Sequence, residues 1–193
     1  IKNLFFLSPY INELDSAKGE FNIELLLSGK GENISRSGKI EIQDGELHTL
    51  LISDPISSIN GFANMDNNQL KIDNLNVALF NGDKKNNIDI NENTTISGII
   101  DFSSFFNPKY DLKIKGDNVS YKLLFIDVFG ESNINLSLSG RDTVLIDGKV
   151  EVLDANVFYE FLTEEVGTAF QKEDHKVIAY NFNIPITGNA KFQ

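Results

Sequence analysis

The sequence predicts an all-β chain: an elongated, curled, mostly antiparallel sheet, open at its ends. Three observations carry this. Apolar and polar residues alternate over most of the chain, the period that sends successive side chains of a strand to opposite faces. Turn-forming residues recur at roughly 8–12-residue intervals, the spacing of short strands in an all-β fold. One unit also occurs twice: residues 22–47, NIELLLSGKGENISRSGKIEIQDGEL, return as residues 133–157, NINLSLSGRDTVLIDGKVEVLDANV. Both copies read strand, Ser-Gly, a short polar link, Gly, strand, then Asp-Gly or Asp-Ala. They share no reactive group, so a surface is the expected seat of function. Repeats that bury a face by stacking point to an extended sheet as readily as to a closed sandwich.

Residues 1–18 read as an irregular or briefly helical lead-in, interrupted by Pro9. The sheet is expected over residues 19–157. Phe21, Ile23, Leu25 and Leu27 fall on one face of the first strand, and Ile40 and Ile42 on one face of the next. Asp44-Gly45 then has the chemistry of a tight hairpin turn. Residues 50–59 are less regular around Pro55, and Asp66-Asn67-Asn68 reads as a turn leading into a strand containing Ile72. Residues 81–93, NGDKKNNIDINEN, read as a polar hairpin tip or short edge strand. A strand at 95–102 and a turn at Asn107-Pro108 follow, then a strand with Leu112 and Ile114 on one face. Gly116-Asp117-Asn118 reads as a further turn, and Leu124–Gly130 as a strand entering a glycine turn. The second copy of the repeat then offers Ile134, Leu136, Leu138, Val150 and Val152.

Residues 158–172 break the alternation. Phe158, Phe161, Leu162, Val166, Ala169 and Phe170 recur at three and four residues, which predicts one short helix over 158–170, packed on the sheet or acting as a plug. Residues 173–193 close the chain as a strand segment that is expected to continue past the end of the sequence. Within it Pro185 calls for an edge or a bulge, because it has no N–H for a ladder.

Composition narrows function. The formal net charge of −11 disfavours nucleic acid, whose affinity comes chiefly from phosphate neutralisation, and disfavours broad adhesion to anionic membrane. The absence of cysteine removes disulfides and thiolate chemistry. His48 and His175, the two histidines, stand beside no nucleophile motif, and the scattered Asp83, Asp89 and Glu92 do not follow a calcium-loop spacing. No enzyme, cofactor or metal is expected. No run approaches the roughly 20 apolar residues of a membrane span, so any membrane anchor is expected outside this segment. What remains is the one-sided apolar pattern. Either its side chains fill a core, or they line a trough that stays open to acyl chains.

The order of these motifs resembles the C-terminal region of TamB-like proteins, the inner-membrane subunit of the translocation and assembly module, within a wider AsmA-like group. The similarity lies in G-x-F-N-I-x-L-x-x-S-G (Gly19–Gly29) followed by S-G-K-I-E-I-x-D-G-x-L (Ser37–Leu47). It continues through ISGIIDF, YDLKIKGDNV, NINLSLSG and DGKVEVLDANV. The resemblance implies a β-groove with an apolar interior. It also implies a periplasmic location within an inner-membrane-anchored protein of a diderm bacterium. The implied function is transport of phospholipid between inner and outer membrane or assembly of outer-membrane proteins, and the implied partner is a TamA-like outer-membrane barrel. Two other readings stand beside it. In one, an edge strand at Lys176–Ile186 pairs with a partner strand; in the other, the chain is an adhesin-like or carbohydrate-binding sandwich.

Overall fold

A computed structural model describes residues 14–30, 33–49, 54–79, 92–104, 107–123, 128–157 and 177–192. These form one curled, open sheet of ten strands. In chain order they are β1 (Leu14–Lys30), β2 (Asn33–Thr49), β3 (Ile56–Asp66), β4 (Gln69–Ala78) and β5 (Thr94–Asp101). Then come β6 (Lys109–Leu123), β7 (Val128–Gly140), β8 (Thr143–Val157), β9 (Val177–Asn183) and β10 (Ile186–Phe192). Strands β1 to β8 are antiparallel neighbours in chain order. The predicted all-β, curled, mostly antiparallel sheet is therefore what forms. There is no helix among the described residues, and none long and apolar enough to cross a membrane. The expected helix at 158–170 and His175 lie outside them, as does all of the expected polar tip at 81–93 except residues 92 and 93.

The sheet closes with a change of direction. β9 runs parallel to the first half of β8, and β10 runs parallel to its second half. Together they act as one strand broken at Ile184-Pro185. Proline cannot donate to the ladder, but the Pro185 carbonyl still accepts from the Val152 N–H at 2.9 Å. The interruption expected at Pro185 is thus a break within an edge strand. At the other end β1 begins at Leu14, so the last part of the expected lead-in is strand.

Two turns predicted from sequence are not turns. Asp44-Gly45 lies inside β2, and Asp117-Asn118 lies inside β6. Both are β-bulges. Residues 43 and 44 face the single residue Asn60, and residues 117 and 118 face the single residue Asn133. Asp44 and Asn118 both adopt positive φ, at 49° each. That conformation serves a bulge as well as a hairpin. Local chemistry cannot separate the two; the continuing ladder on both sides does. Gly130, expected as a turn, likewise sits within β7. Asn67-Asn68 is a true hairpin turn, with φ of 47° and 67°.

Asparagine side chains serve the bulges. A bulge frees a backbone N–H, and an unpaired one is costly. Asn60 Oδ1 accepts from the Asp44 N–H at 2.9 Å, and Asn133 Oδ1 accepts from the Asn118 N–H at 3.0 Å. Asn93 accepts from the Leu79 N–H at 3.0 Å and donates to the carbonyls of Leu79 at 2.9 Å and Asn118 at 3.3 Å. The Asn60 and Asn133 side chains each replace a ladder bond at a bulge, and Asn93 caps the backbone just past the end of β4.

Candidate functional site

Directly opposed residues in a β-ladder project from the same face, so the register alone assigns the two faces of the sheet. One row of partners crosses from β1 to β9 as Phe21–Ile42–Gly61–Leu75–Ile96–Ile114–Leu136–Gly148–Phe182. The next is Ile23–Ile40–Ala63–Ile72–Gly98–Leu112–Leu138–Ile146–Tyr180. A third is Leu25–Gly38–Met65–Leu70–Ile100–Tyr110–Gly140–Val144–Ile178. Every member is apolar or glycine. At about 4.8 Å per strand, each row is roughly 38 Å long.

All the residues expected to line the apolar face share it. Phe21, Ile23, Ile40, Ile42, Ile72, Leu112, Ile114, Leu136 and Leu138 lie in the first two rows, and Leu25 lies in the third. Ile134 pairs with Val150, Val152 pairs with Ser132, and Leu27 pairs with Arg36, all in the same phase. The stretch that sequence reasoning under-read is β3–β5. In β4 the apolar phase shifts from Leu70 and Ile72 to Leu75 and Val77, because residues 73 and 74 form a bulge opposite Ser97. The signal was in the sequence as a slip in alternation at Asp73-Asn74. A strict period of two discards it, so the pattern does not carry the face on to Leu75.

The reverse face carries polar runs between scattered apolar residues such as Leu26, Phe62, Ile99 and Leu145. One crosses as Glu24–Lys39–Asn64–Lys71, and another as Thr95–Lys115–Asn135–Lys149. Ion pairs on this face, such as Lys71–Asp73 at 2.8 Å and Lys149–Glu151 at 3.4 Å, are solvent-exposed and contribute little to stability.

Glycines in the apolar rows bring neighbouring strands into close approach. Gly38 and Gly148 occupy equivalent places in the two repeats, with φ of 157° and 140°. A Cβ on Gly38 would stand 1.9 Å from the Glu24 carbonyl oxygen, and one on Gly148 would stand 2.2 Å from that of Asn135. Such kinks curve a sheet that would otherwise stay flat. Where the sheet curls, Tyr121 covers Gly130, its cross-strand partner, and accepts a hydrogen bond from Ser132 Oγ at 3.2 Å.

The curl does not close into a sandwich. The described strands all belong to one sheet, and there is no second sheet among the described residues to face it. Phe21 and Leu112 are buried, whereas Ile40, Ile42, Ile72, Ile114, Ile134, Leu136 and Leu138 are half-exposed. On β1 exposure climbs toward the strand end, from 6% at Phe21 through 39% at Ile23 and 48% at Leu25 to 58% at Leu27. The apolar face is therefore a trough, walled by one layer of sheet.

Among the described residues no three of His, Asp and Glu approach closely enough to hold a metal ion. His48 is half-buried and its Nε2 contacts Glu46 Oε1, while Glu92 accepts from Asn60 Nδ2 at 2.9 Å. The carboxyl of Glu46 is held below its ordinary pKa first by His48 and then by Lys18; that of Asp101 is held down chiefly by the backbone N–H of Ser103. Comparison with known proteins finds no matching family model, no matching curated protein and no matching solved structure.

Proposed function

We propose that the inner face is a conduit for phospholipid acyl chains, in a periplasmic segment of a TamB-like protein. The observation that carries this is the set of three unbroken apolar rows on a single open sheet, with no second sheet among the described residues. A row of roughly 38 Å exceeds the roughly 15 Å of one leaflet's hydrocarbon, so an acyl chain fits lengthwise. Each methylene taken from water into the trough gains about 0.8 kcal/mol, and sliding exchanges one apolar contact for another of similar energy. Transport along such a face needs no local chemistry. The order of sequence motifs supports the family, the periplasmic location and the role in outer-membrane biogenesis.

The test is a photoreactive amino acid placed at Leu136, in the middle of the trough, in cells that make the full-length protein. Lipid adducts there, and none from a probe at Lys113 on the polar face, are the expected result. Adducts to protein alone at Leu136 would overturn the reading.

A second reading has its own observation. β9–β10 forms the last strand on the described path, as the edge reading of Lys176–Ile186 requires, and Tyr180, Ile184 and Ile186 are 62%, 56% and 58% exposed. An edge of this kind can accept a strand from an outer-membrane barrel partner. Blocking its backbone N–H groups by N-methylation at alternate residues should then abolish partner capture; undiminished capture would remove the reading.

A further inference from the structure

β1 is the first strand of the described sheet, and between Glu20 and Lys30 it lacks the usual protection of an edge. Over that stretch it pairs with β2 residue for residue, without a bulge or a proline, and Glu24 is the one charge between the two ends. Soluble sheets commonly blunt their edges with such devices, because an edge's N–H and C=O groups template another strand. Gly38 fixes the direction of those groups on β1. A Cβ there would stand 1.9 Å from the Glu24 carbonyl oxygen, so that carbonyl faces β2. Across a trans peptide the next N–H points the opposite way, so that of Leu25 is aimed away from β2. Alternation along the strand aims those of Ile23 and Leu27 the same way. The side chains of all three are exposed on the inner face. Glu20 and Lys30 are exposed on the reverse face, and neither makes an ion pair among the described residues.

We infer that two copies of this chain pair antiparallel through β1, about a twofold axis at Leu25. The strand is self-complementary in that register. Leu25 faces the partner's Leu25, Ile23 faces the partner's Leu27, and Glu20 faces the partner's Lys30. The last contact occurs twice, once on either side of the axis, as an isologous interface requires. Neighbouring registers are worse. Centring on Glu24 sets Glu24 against its own copy and Lys30 against the partner's Lys18, both like-charge pairs. Centring on Leu26 leaves Glu20 and Lys30 without each other. A slip by an odd number of residues sets the apolar face of one copy against the polar face of the other. The exposed ion pairs therefore choose the register, while the backbone ladder and the apolar lip supply the attraction. The axis is perpendicular to the sheet, so both troughs open to the same side. The Leu25 row then runs without a break from Ile178 to the partner's Ile178, roughly 80 Å. The pairing does not depend on what the trough carries.

One edge ladder is a small interface of the weak class, so a Kd on the order of 100 µM is expected, and at about 5 µM the chain is a monomer with an open lip. Sedimentation of the purified chain should show this monomer–dimer equilibrium. Lys30→Glu sets two like-charge pairs across the axis and should weaken it about tenfold at low salt; Glu20→Lys should do the same. The double variant Glu20→Lys with Lys30→Glu restores opposite charges and should recover wild-type affinity within about twofold. That rescue separates this register from non-specific apolar association, which charge exchange would not restore. Leu25→Pro removes an N–H that points away from β2, so it should abolish the dimer and keep the β1–β2 ladder. Should Leu25→Pro lose its β-sheet circular dichroism, the charge exchange carries the test alone. A wild type that stays monomeric at about 500 µM would overturn the inference. So would a dimer that persists in folded Leu25→Pro, or a double variant no tighter than the single ones.

Discussion

The repeat gives the molecule an internal comparison, β1–β2 against β7–β8. The copies agree in register as well as in sequence. Ile23 faces Ile40 as Ile134 faces Val150, and Leu25 faces Gly38 as Leu136 faces Gly148. Yet Leu25 is 48% exposed while Leu136 is half-buried. The difference is one of position. β7 lies between β6 and β8, whereas β1 ends the described sheet and has a neighbour on one side only. The same motif therefore makes a supported wall in one place and an open lip in the other. Burial of an apolar strand residue here is a property of its neighbours, which the motif does not encode.

The glycine kinks provide the largest test of that view. Gly148→Ala pushes a methyl group at the Asn135 carbonyl at 2.2 Å, and β7 cannot retreat because β6 holds its other edge. A loss of about 3 kcal/mol is expected, from positive-φ strain together with the displaced ladder. Gly38→Ala meets the Glu24 carbonyl at 1.9 Å, but β1 can move outward, so about half that loss is expected. Equal losses in urea unfolding would show that position does not govern the outcome.

Truncation of the paired leucines should give a smaller contrast. Leu136→Ala is expected to cost about 1.5 kcal/mol, below the 2–5 of a fully buried leucine, because part of its surface is already wet. Leu25→Ala should cost about 0.5 kcal/mol, in the range of surface changes. A cost at Leu25 matching that at Leu136 would mean that something covers the lip, and would end the comparison.

The smallest contrast is electrostatic. Glu46 in the first copy and Asp101, beside Arg141 of the second, both titrate below their ordinary values of 4.5 and 3.8. A lowered carboxylate contributes stability that is present above its ordinary pKa and is lost as pH falls through the folded value. The causes differ. Glu46 depends first on the His48 side chain, so His48→Ala should move its titration back toward 4.5. Asp101 depends first on the Ser103 backbone N–H, which donates to its Oδ1 at 2.8 Å. Arg141→Ala should therefore leave most of the Asp101 depression in place. Side-chain carboxyl NMR titrations would check both; a larger response at Asp101 would reverse the assignment of causes.

Sequence alone determined the fold class and most of the trough lining, because a strand with one apolar face must write its period of two into the chain. The inner-face phase of Phe21 to Leu27, of Leu112 and Ile114, and of Ile134 to Leu138 is legible for that reason. So are the positions able to take positive φ, such as Asp44 and Asn118, since few residue types tolerate it. Only the tertiary structure decided what those positions do. A residue at positive φ can reverse a chain or bulge it, and the strand paired on the far side makes the choice. The parallel attachment of β9 and β10 was likewise beyond the pattern, since alternation is blind to strand direction. So was the open trough, because an apolar face looks the same in the sequence whether another layer meets it or not.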